Sequence, residues 1–270
     1  MMLTLQDAAF RDISALMHDA VGLSLTPSKK PLVASRLGPR IQKLGLAGYE
    51  AYLDLIREDD DHGEFQVAVD LLTTNETYFF REPAHFDLLE RHLTIAKLPA
   101  VSIWSAASSF GDEAYSIAML LADLQQQGRI GAQWRFRGTD ISDRVLRSAV
   151  ESIYPADRLR NVAPARLRRY CLRGEGESDG LVRIGGTLRE RVRFGQMNLT
   201  EPLGDIGRFD VVFLRNVLIY FDAATKREVI DRVLANLGPG GLFFIGTAEG
   251  RVSCDTRIET IAPGVYRKLH

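Results

Sequence analysis

Cysteine is scarce in this chain. Two occur in 270 residues, Cys171 and Cys254, with no CxxC spacing. That excludes a disulfide framework and a paired-cysteine zinc site, and it fits a reducing compartment. Long apolar runs are also missing: none approaches the ~20 residues that span a bilayer. The opening MMLTLQDAAFRD has neither the basic start nor the apolar stretch of a secretory signal. A cytoplasmic protein, not embedded in a membrane, is therefore expected. Charge of one sign is lacking too: the formal net charge is -1, which gives no global field for a nucleic-acid partner. The five histidines are scattered, and Ser/His/Asp order, Walker spacing and HExxH are all absent. No hydrolytic constellation and no metal site are expected. The run Glu58-Asp59-Asp60-Asp61-His62 reads as a solvated loop.

What is present is enough apolar residue, 46%, to bury one large core or one large and one small. Residues 5–75 read as helices only, with Phe10, Ile13, Met17 and Val21, then Leu37, Ile41 and Leu44, at helical spacing. Tyr49, Leu53 and Ile56 mark a third helix, and Phe65, Ala68, Val69 and Leu72 a fourth. Pro39 should bend the second helix or end its first half. From residue 83 the rhythm changes. Pro83 suits a first helical position, and Phe86, Leu89 and Leu93 give that helix an apolar stripe. Strands at 101–107, 134–142, 209–216 and 241–249 alternate with helices at 112–127 and 223–237, the latter ending at Gly238-Pro239-Gly240-Gly241. Such alternation implies an α/β fold with a mainly parallel sheet. GVYRKL (264–269) reads as a last edge strand. Residues 171–196 break the pattern: GLVRI and RVRFG alternate and read as a small antiparallel excursion.

In an open parallel sheet, ligands bind at the carboxyl ends of the strands. After the first strand comes SAASSFGDEAYS, whose small residues let backbone approach a ligand beside a helix N-terminus; packing a helix on a strand would need the same residues. It is not the dinucleotide fingerprint, since Gly111 stands alone. After the second strand comes Asp140, placed either to take two ribose hydroxyls or to cap the helix near Ser142. Asn198 follows near another strand end, and then LRNVLIYFD with Arg215, Asn216 and Tyr220. Ribose recognition without a phosphate loop points to a nucleoside cofactor, with S-adenosylmethionine the natural candidate.

TTNETYFFRE (73–82) joins the two halves. Together with IWSAASSFGDEAYSIAM, GTDIS, VRFGQMNL and FDVVFLRNVLIYFD, it resembles in order and spacing the CheR-type chemotaxis receptor methyltransferases. KKPLVASRLGPRIQKLGL resembles that family's first domain. The resemblance implies an enzyme that transfers a methyl group from S-adenosylmethionine to glutamate side chains of chemoreceptors, leaving S-adenosylhomocysteine. It implies an N-terminal helical domain (1–76), a Rossmann-like class I methyltransferase domain (77–270) and an inserted β-subdomain (171–196). By position, Asn75, Thr77, Arg81, Glu113, Asp140, Asn198, Leu199, Arg215 and Asn216 would line the cofactor site, with Arg81 and Tyr220 nearest the reacting centre. Where the family usually reads CSTGEEPYS, this chain has Ser108, Phe110, Asp112 and Ala114 in place of Cys, Thr, Glu and Pro, and keeps Glu113.

The implied chemistry fits the absences. A glutamate with pKa near ~4.3 is already ionised at neutral pH, so no general base is needed. Holding donor and acceptor in line contributes up to about 7–11 kcal/mol in model systems. Arg81 could fork onto the substrate's carboxylate or the cofactor's; a surface salt bridge is the plainer role. Phe79 and Phe80 serve equally as interdomain core, and Tyr220 as a packed ring with a satisfied hydroxyl. Residues 27–47 hold Lys29, Lys30, Arg36, Arg40 and Lys43 and no acid. Arg36, Arg40 and Lys43 share one helical face, which is either solvated or a docking surface for receptor cytoplasmic helices. The β-subdomain edge would suit a receptor C-terminal peptide by strand addition. A methyltransferase of another signalling protein and a non-catalytic cofactor-binding module are the competing readings.

Overall fold

The computed structural model of the chain describes residues 3–58 and 63–269. Of the acidic run, Asp59 to His62 lie outside them. The described residues form two compact units. One runs to Thr74 and includes Ile219–Lys226; the other holds Asn75–Leu218 and the described residues from Arg227 on.

The first unit is helical: α1 (Asp7–Val21), α2 (Lys30–Lys43), α3 (Tyr49–Arg57) and α4 (Gly63–Leu72). Apolar residues at helical spacing turn inward: Phe10, Ile13 and Met17 from α1, Val33, Leu37 and Ile41 from α2, Tyr52 and Ile56 from α3, Val69 and Leu72 from α4. Each such side chain stabilises the fold by about 1.5–3 kcal/mol relative to exposure. Gly22, at φ 72°, closes α1 in the left-handed conformation that suits glycine. Pro39 does not end its helix, because α2 continues to Lys43. The proline ring is exposed, and the Tyr49 hydroxyl donates to the nearby Ala34 carbonyl at 3.0 Å.

The second unit begins with α5 (Pro83–Ala96) and proceeds β1 (Ala100–Ser105), α6 (Asp112–Gln126), β2 (Gln133–Asp140), α7 (Asp143–Glu151), β3 (Ile153–Pro155), α8 (Pro164–Tyr170), β4 (Cys171–Arg173), β5 (Leu181–Ile184), α9 (Gly186–Arg189), β6 (Val192–Gln196), β7 (Phe209–Leu214), α10 (Ala223–Ala235), β8 (Leu237–Ile245), β9 (Ile258–Ala262) and β10 (Val265–Lys268). The first turn of α10 belongs with the helical unit. The large sheet runs β6-β2-β1-β7-β8-β10-β9; the small one runs β3-β5-β4. From β6 to β8 the large sheet is parallel. Its central strands are buried on both faces and mostly apolar, as expected of strands covered on two sides. Phe213 stacks on Phe244 at 4.4 Å between neighbouring strands.

Three sequence expectations need correction. RVRFG is not part of the antiparallel excursion: β6 pairs parallel with β2, Phe136 opposite Val192. Phe194 needs that place, since a Cβ at Gly138 of β2 would sit 2.7 Å from its ring. The small sheet instead recruits β3, with Ile153 opposite Arg183. GVYRKL is not the edge: β10 lies between β8 and β9. And the Gly-Pro-Gly-Gly stretch is not a helix end but already strand. Gly241 passes so close to the Asp210 carbonyl that a Cβ would lie 2.8 Å from it.

Candidate cofactor site at the strand ends

The carboxyl ends of β1, β2 and β7 gather most of the expected residues of the second unit. Glu113, in the first turn of α6, accepts from Ser105 Oγ at 2.7 Å and from Arg215 Nη1 at 2.8 Å. Arg215 follows β7 directly and its side chain is 2% exposed. Its Nη2 donates to the Arg81 carbonyl at 2.7 Å and lies 3.5 Å from Glu82. The guanidinium is thus held between two carboxylates and a main-chain oxygen, the arrangement that makes a buried charge tolerable. Its Nε is buried without a partner among the described residues.

Arg215 thereby fixes the turn that carries Arg81. That turn is unusual: Phe80 and Glu82 on either side both have positive φ, at 55° and 59°. Non-glycine residues adopt this region at a cost of order 1–3 kcal/mol, and such strain concentrates at functional sites. The Phe80 N–H donates to Ser116 Oγ at 3.0 Å. The Arg81 guanidinium donates to the Glu76 carbonyl at 3.0 Å and lies 5.8 Å from the Tyr78 ring. Phe79 is fully buried, edge-on to Tyr154 at 5.1 Å, and Phe80 packs on Phe86 at 5.0 Å; both rings belong to the second unit's own core.

Asp140 ends β2. One of its oxygens accepts from the Ser109 N–H at 2.8 Å and the other from the Ser142 N–H at 3.0 Å. It does not cap α7; Ser142 does, accepting from the Val145 N–H at 3.4 Å. Ser109, at φ 49°, is bent inside the β1–α6 turn, and its hydroxyl donates to the Asn75 carbonyl at 3.2 Å. Asp140 therefore carries a rigid carboxylate against that turn. Thr77 is half-buried in the stretch between Asn75 and Arg81.

The substituted turn has its own support. Asp112, fully buried, accepts two bonds from Arg158, at 2.7 and 2.9 Å. Arg158 also lies 4.7 Å from the Phe110 ring. Burial pushes the Asp112 carboxyl up, and Arg158 pulls it back. Ser108 is buried with its hydroxyl unpartnered among the described residues.

The remaining expected residues have partners of their own. Asn198 turns its own chain, with Oδ1 accepting from the Thr200 N–H and hydroxyl and Nδ2 donating to Glu201. The Leu199 carbonyl accepts from Arg232 at 2.7 Å. Tyr220 falls in the helical unit, where its carbonyl accepts from the Ser24 N–H and its hydroxyl donates to the Thr74 carbonyl at 3.2 Å. The basic face of α2 is partly spent internally. Arg36 donates to the Leu72 and Thr73 carbonyls and to Thr74 Oγ1. Arg40 forks onto Glu64 at 2.9 and 2.5 Å, beside the Tyr52 hydroxyl. Lys43 is exposed.

Sequence reasoning missed Ser105, Glu82 and Glu249. Glu82 closes the TTNETYFFRE motif and could have been weighed with it. Glu249 receives the Gly246, Asn216 and Leu218 N–H groups at 2.6, 2.9 and 2.7 Å. Asn216 itself has φ 61°.

Comparisons with known proteins agree on one family. Residues 75–263 match its model described as "CheR methyltransferase, SAM binding domain", and residues 8–73 match "CheR methyltransferase, all-alpha domain". A chemotaxis protein methyltransferase of Escherichia coli K12 is 40% identical over 265 residues, covering 98% of this chain and 92% of that protein. The Salmonella typhimurium chemotaxis protein methyltransferase is 39% identical over 248 residues, covering 92% and 85%. Chemotaxis protein methyltransferase 2 of Pseudomonas aeruginosa is 37% identical over 260 residues, covering 95% and 91%. Among the described residues no helix is long and apolar enough to cross a membrane.

Proposed function

This chain belongs to the CheR methyltransferase family, and from that premise we infer how its residues methylate chemoreceptors. It is an S-adenosylmethionine-dependent methyltransferase whose acceptors are glutamate side chains of methyl-accepting chemotaxis receptors. The observation that carries the reading of the site is Arg215, which joins Glu113 in the first turn of α6 to the Arg81 turn.

The donor set suits the cofactor. A rigid carboxylate at the end of β2 is an acceptor matched to a pair of ribose hydroxyls, and Asp140 supplies it. The turn from Ala106 to Gly111 is mostly small residues, so main chain can lie close to a ligand. When bound, S-adenosylmethionine supplies an activated methyl on a sulfonium. Asp140 would hold the ribose, Glu113 and Arg215 would brace the turn, and Asn75 and Thr77 would border it. Arg81 aims a carboxylate without gripping it, because a nucleophile held too tightly loses reactivity. The acceptor is already an anion, so none of these residues removes a proton. Tyr220 remains a proposed neighbour of the reacting centre, held by its bond to Thr74.

The partner surface is proposed as the exposed part of the α2 face, Lys43 foremost, with Arg36 and Arg40 shaping the helix that presents it. The small sheet would take a receptor C-terminal peptide at its edge. The working compartment is proposed as the cytoplasm. Incubation with S-adenosylmethionine labelled in its methyl group and chemoreceptor membranes tests the function. Label on receptors that base releases as methanol supports it; label stable to base, or none, overturns it.

A further inference from the structure

Glu249 lies after β8, outside the residues assigned above. Its Oε2 accepts from the Gly246 N–H at 2.6 Å and the Asn216 N–H at 2.9 Å, and its Oε1 from the Leu218 N–H at 2.7 Å. One carboxylate thus ties the end of β8 to the three residues that follow Arg215. The fit is tight: a Cβ at Gly246 would lie 2.5 Å from Asn216 Nδ2 and 3.0 Å from Glu249 Oε2. The next residue, Thr247, donates its N–H to Glu82 at 3.2 Å, beside the Arg81 turn. The β8 loop is therefore held by carboxylates on two sides, one serving the Arg215 loop and one the Arg81 turn. Asn216 at φ 61° would relax without such a hold, since a strained residue persists only where its surroundings over-determine it.

We propose that Glu249 is a positioning residue for methyl transfer, acting through the main chain of Asn216 and Leu218 on Arg215 and, through Arg215, on Arg81. This rests on the reading of the site given above. Burial pushes the Glu249 carboxyl above its ordinary range, while the N–H groups of Asn216, Gly246, Leu218 and Val217 pull it down. Its ionised form accepts from all of them; protonation turns one acceptor oxygen into a donor facing N–H groups.

The test compares wild type and Glu249→Gln for turnover against pH, S-adenosylhomocysteine affinity by calorimetry, thermal melting, and amide hydrogen exchange at 216–218. Glu249→Gln should lose on the order of 10–100-fold in kcat, the scale of a small misplacement of reacting groups. Its receptor KM should be unchanged, its 216–218 amides should exchange faster, and its acid limb of kcat should move to lower pH than in wild type. Gly246→Ala crowds the Glu249 carboxylate and the Asn216 side-chain amide without altering charge and should lose about tenfold or more in kcat. Turnover within about twofold of wild type in both variants overturns the assignment, as does a loss that merely tracks the fraction unfolded. A wild type that neither transfers methyl nor binds S-adenosylhomocysteine overturns the reading of the site itself, which an active wild type with an equally active Glu249→Gln leaves standing.

Discussion

The guanidinium of Arg158 lies bidentate on Asp112, with Nε 2.7 Å and Nη2 2.9 Å from its two oxygens. The same side chain covers Phe110 at 4.7 Å. Phe110 and Asp112 are two of the positions where this chain departs from the usual turn of its family, and one arginine supports both. Breaking a buried pair costs about 3–5 kcal/mol, because the surviving charge is left unpaired. The Arg158 side chain is 24% exposed, which reduces that figure. Arg158→Ala should lower stability by about 2–4 kcal/mol in urea unfolding. The sign with pH follows from Asp112. Its folded carboxyl is already raised, and without Arg158 it rises further. The deficit is therefore full above the value the carboxyl takes in the variant and shrinks as pH falls through it.

The basic face of α2 separates into structural and exposed parts. Arg36 satisfies carbonyls at the end of α4, and Arg40 neutralises Glu64. Arg36→Ala and Arg40→Ala should each cost about 1–3 kcal/mol in denaturant unfolding. Lys43→Glu, at an exposed site, should stay within about 0.5 kcal/mol of wild type. It should reduce methylation of receptor membranes while leaving S-adenosylhomocysteine affinity unchanged.

His18 in α1 and Asp222 form a pH-dependent tie within the helical unit, 2.6 Å apart. Bonding to Asp222 raises the His18 pKa above its ordinary value. The Asp222 carboxyl is lowered to about 2, by the Thr225 N–H first and then His18. The His18 contribution is full below its unfolded pKa, about 6.5, and is lost as pH rises through the raised folded value. The Asp222 contribution is full above the ordinary carboxylate range and is lost as pH falls toward about 2. Melting of wild type minus His18→Gln, followed from about pH 5 to about pH 9, should show an advantage that fades at the alkaline end. A difference that grows with pH would contradict it.

Arg81→Ala should lower kcat by about 100-fold or more while melting close to wild type. Its side chain donates to the Glu76 carbonyl, whereas the turn is held by the Arg81 main chain through Arg215. Arg215→Ala should instead lose stability as well as activity, because Glu113 would be left without its counter-charge.

Most of the fold was legible because the apolar rhythm is strong wherever a face packs. The strands containing Trp104, Phe136 and Phe213, and the helices of 5–75, are of that kind. What escaped depends on partners far along the chain. Ile258–Ala262 is a half-exposed edge strand with no clear alternation. The place of Val192–Gln196 is decided by Phe194 seeking the gap over Gly138. In the candidate site, Asp140 and Arg215 could be picked out because one ends a strand and the other follows one, and Glu113 through the family resemblance. Their engagements were not: the Arg215 bond to the Arg81 carbonyl joins residues 134 positions apart. Glu249 was missed because its partners are main-chain N–H groups, which leave no mark in the sequence.

The most direct test is a crystal structure of the chain with S-adenosylhomocysteine. The account predicts ribose hydroxyls on Asp140 and the ligand lying along the β1–α6 turn, with Glu113 still bonded to Arg215. A ligand seated elsewhere, with no ribose hydroxyl on Asp140, would contradict it.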